Sequence, residues 1–379
     1  MRGRRFVATV LFLSLGAGAL LALRLGYVER LRDRVQGRAP RLTAGDFPAG
    51  VTAPVDDVAS IPTRPLLVGV TPRGTIAPLV WAAGDAERPG LFRSAYALDV
   101  KVVRFDTEDG LRRALVKGGD NGGVDVAALS VSTLGMSAAP LRDAAPRTVL
   151  LLGRSRGQDV LATRSGTLTP AQLKGRRLAT EPRSPGHYFA LWVLSRAGLS
   201  MREVTWVPLE SSLQAGATLQ SGKADVVAGL VGDVHPMVRE LGGSIMATTA
   251  DAPHLLATVL VARGDFAARY PDAVRRLLRG ALDAGALVVK APEEAARVLG
   301  SFAPQLGDPS EAILAAPPAT MRENLAFFGL SGEAPVTYAE LYQSAVALAQ
   351  KLTGPSTVPT AEETADLGAL KYVSATQRP

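Results

Sequence analysis

Short apolar runs alternate with helical patterns along residues 66–230, and this alternation limits the chain to an α/β fold. The continuous apolar run of Leu66–Val70 predicts a buried strand. Further strands are predicted at residues 98–105, 124–129, 148–152, 177–180, 204–208 and 224–230. Helices are predicted between them at residues 107–117, 187–197 and 213–220, and further on at residues 270–290 and 338–352. Strands connected through helices favour largely parallel sheets.

A local similarity predicts that the chain forms two related lobes. VDVAA at residues 124–128 and ADVVA at residues 224–228 both follow a predicted helix. Each is expected near the centre of its own sheet. We predict lobe I from residues 65–160 and 255–353, lobe II from residues 161–254, and a C-terminal tail at residues 354–379. The two connections between the lobes would form a hinge.

Residues 173–199 have the sequence LKGRRLATEPRSPGHYFALWVLSRAGL and predict a strand, a loop and a helix. Ser184 before Pro185 is typical of an N-cap followed by proline in the first turn, and Gly198 suits a helix C-terminus. The start of such a helix presents free backbone N–H groups and a partial positive charge. This stretch could therefore bind an anion, or it could be an ordinary connection between a strand and a helix.

The content of cysteine and histidine excludes several kinds of site. The chain has no cysteine, which excludes disulfides, iron–sulfur clusters, thiolate zinc sites and cysteine nucleophiles. Its three histidines have no metal-ligand spacing. We therefore predict neither a metal site nor a cofactor.

The positive charge of the chain is concentrated at the N-terminus. Residues 1–41 hold nine arginines against Glu29 and Asp33, a net +7 that equals the charge of the whole chain, so residues 42–379 sum to zero. A nucleic-acid-binding domain needs a basic face of its own. We therefore expect no nucleic acid partner.

An apolar segment near the N-terminus points to the membrane. Residues 6–23 carry no charge and follow three arginines. As a helix they would span about 27 Å, close to the thickness of a bilayer core. We predict a signal peptide or an uncleaved anchor helix within residues 1–35, followed by a linker at residues 36–64. Six arginines follow the apolar run, which by charge alone argues against export of the body.

Enzyme patterns are weak in this sequence. GRSRG at residues 153–157 matches G-x-S-x-G and follows a predicted strand. A nucleophile elbow must turn directly into a helix, whereas residues 158–162 continue as an extended run. No nucleotide-binding glycine motif follows a strand. We therefore expect a protein that is not an enzyme.

Several stretches in order resemble the periplasmic substrate-binding proteins of ABC importers. The resemblance is strongest to the nitrate, sulfonate and taurine branch, which also includes binders of thiamine-pyrimidine precursors. It covers about residues 65–353 and is carried by LLVGVTPRGT, GGVDVAALSVST, LKGRRLATEPRSPGHYFALWVLSRAGL, VTWVPLESSLQAGATLQSGKADVVAGL and LVARGDFAARYPDAVRRLLRGAL. It implies a two-lobed periplasmic-binding-protein type II fold behind an N-terminal transmembrane or signal helix.

The resemblance also implies which residues contact a ligand between the lobes. By position these are Arg73, Gly74, Thr75, Ser130, Ser132, Ser184, Gly186, His187, Gly232 and Asp233. The serines would donate hydrogen bonds to an oxyanion, and the N–H groups of Gly186 and His187 would add the start of a helix. Arg73 would pair with a sulfonate or carboxylate. Asp233 would suit an amine better than an anion.

The function implied is that of a monomeric solute-binding protein that closes around a small, anionic solute, such as a sulfonate, taurine or nitrate. It would deliver this solute to an ABC permease, on the periplasmic side of the inner membrane. Two alternatives stay open at this point. One is a membrane-tethered ligand sensor, and the other is a pyrimidine-precursor binder or synthase of the thiamine pathway on the same fold.

Overall fold

The structure is a computed structural model that describes residues 61–85 and 89–376. The predicted signal or anchor segment, including residues 6–23, and nearly all of the predicted linker lie outside these residues. Within the described part of the chain, no helix has both the length and the apolar character needed to cross a bilayer.

Within the described residues, ten strands form two separate five-stranded sheets. The strands are β1 (Leu66–Val70), β2 (Val100–Arg104), β3 (Val126–Ser130), β4 (Arg147–Arg154), β5 (Asp159–Thr163), β6 (Arg177–Thr180), β7 (Thr205–Pro208), β8 (Val226–Leu230), β9 (Ser244–Thr248) and β10 (Ala257–Ala262). The first sheet has the order β2-β1-β3-β10-β4 and the second the order β7-β6-β8-β5-β9. We call the elements around the first sheet lobe I and those around the second sheet lobe II. The predicted α/β class is confirmed.

The two sheets repeat one pattern of strand direction. In lobe I, β1 pairs in parallel with β2 and β3, while β10 is antiparallel to β3 and β4. In lobe II, β6 pairs in parallel with β7 and β8, while β5 is antiparallel to β8 and β9. In each sheet, therefore, a strand from the connection between the lobes is inserted beside the parallel strands.

Helices cover the two sheets and follow several of the strands directly. They are α1 (Ala77–Ala83), α2 (Leu91–Tyr96), α3 (Glu108–Lys117), α4 (Val131–Met136), α5 (Pro185–Arg196), α6 (Ala215–Gln220), α7 (Val231–Leu241), α8 (Gly264–Arg269), α9 (Pro271–Lys290), α10 (Pro292–Phe302), α11 (Pro309–Leu314), α12 (Met321–Phe327), α13 (Tyr338–Thr353) and α14 (Gly368–Thr376). The long helix α9 has one apolar face, which packs against α1, α2 and α14. The predicted helices at residues 270–290 and 338–352 are confirmed as α9 and α13.

Two short crossings connect the lobes, at residues 155–158 and 249–256. They are joined side by side, since the hydroxyls of Ser155 and Thr249 lie 2.7 Å apart and the N–H of Ser155 donates to the carbonyl of Leu256 at 2.9 Å. Helix α13 forms a further link, because it packs against α4 of lobe I and the hydroxyl of its Ser344 lies 2.9 Å from that of Tyr188 on α5. The Ser155 hydroxyl thus holds the two crossings together. The chain after Ser155 enters β5 rather than a helix, as expected if GRSRG is not a nucleophile elbow.

The C-terminal part of the chain covers the free edge of β4. The side-chain amide of Asn324 on α12 bonds to the strand edge as a neighbouring strand would. It accepts from the N–H of Leu151 at 2.7 Å and donates to the Leu151 carbonyl at 3.0 Å. Thr148 pairs in the same way with the backbone of residues 364–366. An uncovered strand edge would expose unpaired backbone groups. The tail predicted at residues 354–379 therefore packs on lobe I and includes α14.

Several elements were not predicted from the sequence, and α7 and β9 show why. Helix α7 contains Pro236, which lacks an N–H and ordinarily disfavours a helix interior. Strand β9 is an edge strand with only half-buried residues, so its apolar pattern is weak. Both depend on tertiary contacts, because α7 packs on α6 and β9 pairs with β5.

We expect Asn324→Ala to destabilise the protein, because it leaves the buried N–H and carbonyl of Leu151 without partners. Each unsatisfied buried group costs about 1–3 kcal/mol, so the loss from the two groups should be about 2–6 kcal/mol. Denaturant unfolding would measure it. Asn121→Ala is the matched control, since the Asn121 side chain donates at the surface to the Lys117 carbonyl. Equal stability of the two variants would contradict the edge-covering role of Asn324.

Candidate functional site

The carboxyl ends of the parallel strands place four connections between the two sheets. In lobe I these follow β1 and β3, and in lobe II they follow β6 and β8. Two of them begin a helix with a serine cap: Ser130 Oγ accepts from the Thr133 N–H at 3.0 Å, and Ser184 Oγ accepts from the His187 N–H at 3.1 Å. Ligands of open α/β sheets bind at such strand ends. We therefore take this junction as the candidate site.

A buried ion pair joins the lobes at the junction. Arg73, in the connection after β1, donates from Nη2 to Asp159 Oδ1 at 3.0 Å. Asp159 is the first residue of β5, so the pair links lobe I to lobe II. Both side chains are buried, with 8% and 2% of their surface exposed. The Arg73 guanidinium thus has a fixed counter-charge within the protein.

Two glutamates from opposite lobes meet beside this ion pair. Glu181, after β6, accepts from the Glu108 backbone N–H at 2.6 Å and from the Ser212 N–H and hydroxyl at 3.0 and 2.7 Å. Glu108, the first residue of α3, accepts from the Thr71 hydroxyl at 2.8 Å through Oε1. Burial and the neighbouring Glu108 carboxylate raise the pKa of Glu181 to about 7.

The glutamates and Arg73 line a small cavity between the lobes. Its volume is about 20 Å³, which is room for roughly one water molecule. The lining residues are Thr71, Pro72, Arg73, Asp106, Glu108, Glu181, Ser212, Leu213 and Leu230. The hydroxyl of Ser211 also donates across the gap to the Asp106 carbonyl. The lobes therefore contact each other closely, and an organic ligand would need them to separate.

A larger cavity of about 490 Å³ lies elsewhere, on the outer side of lobe I between α12, α13 and the C-terminal residues. Aromatic and apolar side chains form most of its wall, including Phe327, Phe328 and Tyr338. We favour the smaller interlobe cavity as the site, because the strand ends and the buried charged groups converge there and not at the outer cavity.

Of the predicted contact residues, Arg73 is the one that lines the interlobe cavity. Ser130, Ser132 and Ser184 are buried near the strand ends but bond within their own helix starts, and the hydroxyls of Ser130 and Ser132 bond to each other. Thr75 donates to the Thr258 hydroxyl on β10 at 3.1 Å. These hydroxyls support the protein scaffold in this state, and their contact with a ligand stays a prediction.

The predicted glycines have different surroundings. A Cβ atom on Gly74 would lie 1.9 Å from the Ala312 carbonyl oxygen, and one on Gly232 would lie 2.2 Å from that of Leu306. Both glycines thus allow close approach of residues 303–318, which we call the bridging segment. Gly186 is less constrained, since its Cβ would make ordinary contacts of 3.5 Å. Gly74 and Gly232 therefore face protein backbone, in lobe I and lobe II respectively.

His187 and Asp233 are occupied by contacts within lobe II. His187 Nδ1 accepts from the Arg183 N–H at 3.0 Å, and the ring packs edge-on against Trp206. Burial and the Arg183 cation lower the pKa of His187 to about 4, so the ring is neutral at pH 7. Asp233 accepts from the Gly216 N–H at 3.1 Å, and burial raises its pKa to about 6. Neither group lines the interlobe cavity.

Four residues at the interlobe cavity and its ion pair were not predicted from the sequence: Glu108, Asp159, Glu181 and Ser212. Glu108 follows the N-cap Thr107 and resembled an ordinary acidic residue that complements the helix dipole. Asp159 lay in a predicted connection and Glu181 in a predicted loop. Of these residues, only Glu181 could have been predicted from the sequence, because it directly follows a strand at the edge where ligands are expected to bind.

Comparison with known proteins supports the resemblance. Residues 149–295 match the family model described as NMT1/THI5 like, which covers less than half of the chain. None of the curated proteins matches the chain.

Solved structures share the fold at low sequence identity. The alkanesulfonate-binding protein SsuA from Xanthomonas axonopodis pv. citri, bound to MOPS, has a TM-score of 0.62 at 19% identity, over 80% of this chain and 98% of its own. A protein from Methylobacillus flagellatus KT, described as a periplasmic sulfonate-binding protein of a putative sulfonate ABC transporter, gives 0.59 at 17%, over 84% and 95%. The desulfurization enzyme DSZB gives 0.57 at 14%, over 83% and 100%. The two-sheet periplasmic-binding-protein fold is thus confirmed.

We expect Arg73→Met to destabilise the protein by about 3–5 kcal/mol, because it leaves the Asp159 carboxylate buried without a counter-charge. The double variant Arg73→Met/Asp159→Leu removes both charges and should recover most of that loss. Denaturant unfolding of the wild type, both single variants and the double variant would measure the coupling. Additive losses would show that the ion pair does not act as a unit.

The stability of the protein should decrease as pH rises from about 4.5 to above 7, in part through Glu181. Its pKa is raised in the folded protein, so the folded state holds a proton that the unfolded chain has released, and this advantage disappears above pH 7. Glu181→Gln should therefore flatten the pH dependence of the unfolding free energy in this range. The exposed Glu240→Gln is the control. An unchanged pH profile in Glu181→Gln would contradict the shifted pKa.

Proposed function

We propose that the protein is a solute-binding protein that captures a small solute between its two lobes and releases it by opening at the hinge. The observation that carries this proposal is the convergence of strand ends from both sheets on one interlobe cavity, closed by polar contacts between the lobes. Among the described residues, the lobes are linked by two short crossings, by α13 and by the bridging segment. Such a connection permits rigid-body closure around a ligand.

The proposed solute carries an anionic group, as in a sulfonate or nitrate, and is delivered to an ABC importer on the periplasmic side of the inner membrane. Two fold neighbours are described as sulfonate-binding proteins, and one of them is assigned to a putative ABC transporter. The proposed anion contacts are Ser130, Ser132 and the start of α5, reached when the lobes separate. We further propose that the protein acts as a monomer, held at the membrane through residues 6–23.

An enzyme on the same fold is the second candidate. One neighbour is described as a desulfurization enzyme, and the matched family model is named for NMT1 and THI5. In this chain, however, the Ser155 hydroxyl of the G-x-S-x-G match bonds to Thr249 in the crossing and supports β5. If the protein were an enzyme, the buried glutamates would be its candidate acid and base. Recovery of the ligand after incubation with the protein distinguishes binding from conversion.

We expect a bound solute to stabilise the full-length protein. A ligand at 100 times its dissociation constant adds about 2.7 kcal/mol to the unfolding free energy, which a thermal-shift screen detects. The screen would include sulfonates, taurine, nitrate and pyrimidine precursors, followed by chromatography of the recovered ligand. Stabilisation with unchanged ligand is the expected result, and conversion of the ligand would favour the enzyme.

Closure can be followed separately, because the chain contains no cysteine. Cysteines introduced at Arg113 in lobe I and Glu210 in lobe II, both exposed, would carry a pair of fluorescent labels. Energy transfer between them should change when the ligand from the screen is added. A label pair within lobe II, at Glu210 and Glu240, is the control and should not change. A ligand that stabilises the protein without altering the interlobe transfer would contradict the hinge.

A further inference from the structure

The interlobe cavity has more buried negative than positive charge. Glu108, Glu181 and Asp159 are each at least 96% buried, and Arg73 is the cation among the residues that line the cavity. The Arg73 charge is matched by Asp159 at 3.0 Å. Within the described residues, Glu108 and Glu181 have no salt-bridge partner of their own. Arg112, a buried cation on α3, pairs with Asp109.

One buried glutamate oxygen in the cavity wall has no hydrogen-bond partner among the described residues. Both oxygens of Glu181 already accept from protein N–H or O–H groups. Glu108 Oε1 accepts from Thr71, but Glu108 Oε2 is buried and has no partner. A buried acceptor left unpaired costs about 1–3 kcal/mol, and more when it is charged. Glu108 Oε2 therefore has neither a hydrogen-bond donor nor a salt-bridge partner in the described structure.

We propose that this cavity selects a solute with a cationic nitrogen, an ammonium or amidinium group, which lies between Glu108 and Glu181. The inference rests on the proposed solute-binding function and narrows its anionic solute to one that also carries a cationic nitrogen, as taurine does and nitrate does not. The nitrogen would donate to Glu108 Oε2 and supply the missing charge. Charge-assisted N–H···O bonds of this kind are short, about 2.7–2.9 Å, and stronger than neutral ones.

An organic cation fits the cavity better than a metal ion. The described residues contain no group of three histidine, aspartate or glutamate side chains placed to hold a metal. Of the four oxygens of Glu108 and Glu181, three already accept from the protein, and only Glu108 Oε2 has no partner among the described residues. An ammonium or amidinium nitrogen needs only such directed acceptors. A solute whose sole charged group is an anion would instead place like charge beside two buried carboxylates.

Binding of the cation should be linked to a proton. Burial and Glu108 raise the pKa of Glu181 to about 7, so near neutral pH the pair holds part of a proton that a cation would replace. The charged groups that line the cavity with Glu181 are Asp106, Glu108 and Arg73. Beyond them, Asp159 on β5 pairs with Arg73, and Arg112 on α3 donates to the carbonyl of Arg183 in the loop of Glu181. Since the cation favours the ionised pair, its affinity should rise as pH increases.

Two probes that differ only in the amino group test the proposal on the full-length protein. We expect 3-aminopropanesulfonate to bind at least about tenfold tighter than propanesulfonate at pH 8, which is about 1.4 kcal/mol. Its affinity should fall by up to about tenfold per pH unit below pH 7, with proton release seen by calorimetry in two buffers. Propanesulfonate should show the opposite or no pH trend. Acetamidinium is a third probe, for the cationic group alone.

Glu108→Gln should abolish most of the preference for the aminated probe, because the amide retains the shape but loses the charge. Glu240→Gln, at the exposed end of α7, is the control and should keep it. The pH dependence is measured on the wild type, so it holds even if Glu108→Gln folds poorly.

Two other outcomes are separable. If propanesulfonate binds as tightly as its aminated partner, or more tightly, and Glu108→Gln strengthens both, then the charge selection is wrong while solute binding stands. If none of the three probes and none of the solutes in the screen stabilises the protein or produces heat, solute binding itself fails and this inference fails with it.

Discussion

The buried ion pair between Arg73 and Asp159 sets the relation between the two lobes. Removing two charges from water is costly, and their attraction repays that cost only when the geometry is good and the remaining donors and acceptors are bonded. Here the pair brings the connection after β1 against the first residue of β5, where the chain has just crossed between the sheets. The pair therefore fixes a contact between the two lobes beside the crossing at residues 155–158.

The contacts around this pair are polar, whereas the interior of each lobe is apolar. Strands β3 and β8 are fully buried, and large apolar clusters fill the space between sheet and helices. At the junction, backbone N–H groups of α3 and of residue 212 instead meet the Glu181 carboxylate. If the lobes separate, water can replace these polar contacts at a modest cost in free energy. Exposing an apolar interior to water would cost much more. At this cavity the lobes therefore meet through polar groups, whereas around α4 and α13 an apolar cluster joins them.

Much of the fold could be predicted, because its strongest patterns are local. Strand β1 shows as an apolar run, and α9 as a long amphipathic helix. Helix α7 and strand β9 could not be found in this way. Pro236 and partial burial weaken their local patterns, and long-range packing forms them.

For the candidate site, the sequence predicted the location at the strand ends better than the residues that lie there. Glu108 and Glu181 are 73 positions apart, and neither has a local pattern that predicts their contact. Gly74 and Gly232 were expected to face a ligand, but their free space is used by the bridging segment, whose path no local pattern reports.

The position of β10 in the first sheet has a consequence for biosynthesis. Strand β10 lies between β3 and β4, so these two neighbours cannot join the same sheet until residue 262 has left the ribosome. The cover of the β4 edge comes later still, at residues 324 and 364. Every strand of the second sheet, by contrast, is complete by residue 248. Lobe II, although it is the inserted part, should therefore be the first to fold during synthesis, and lobe I would be finished around it only when nearly the whole chain is available.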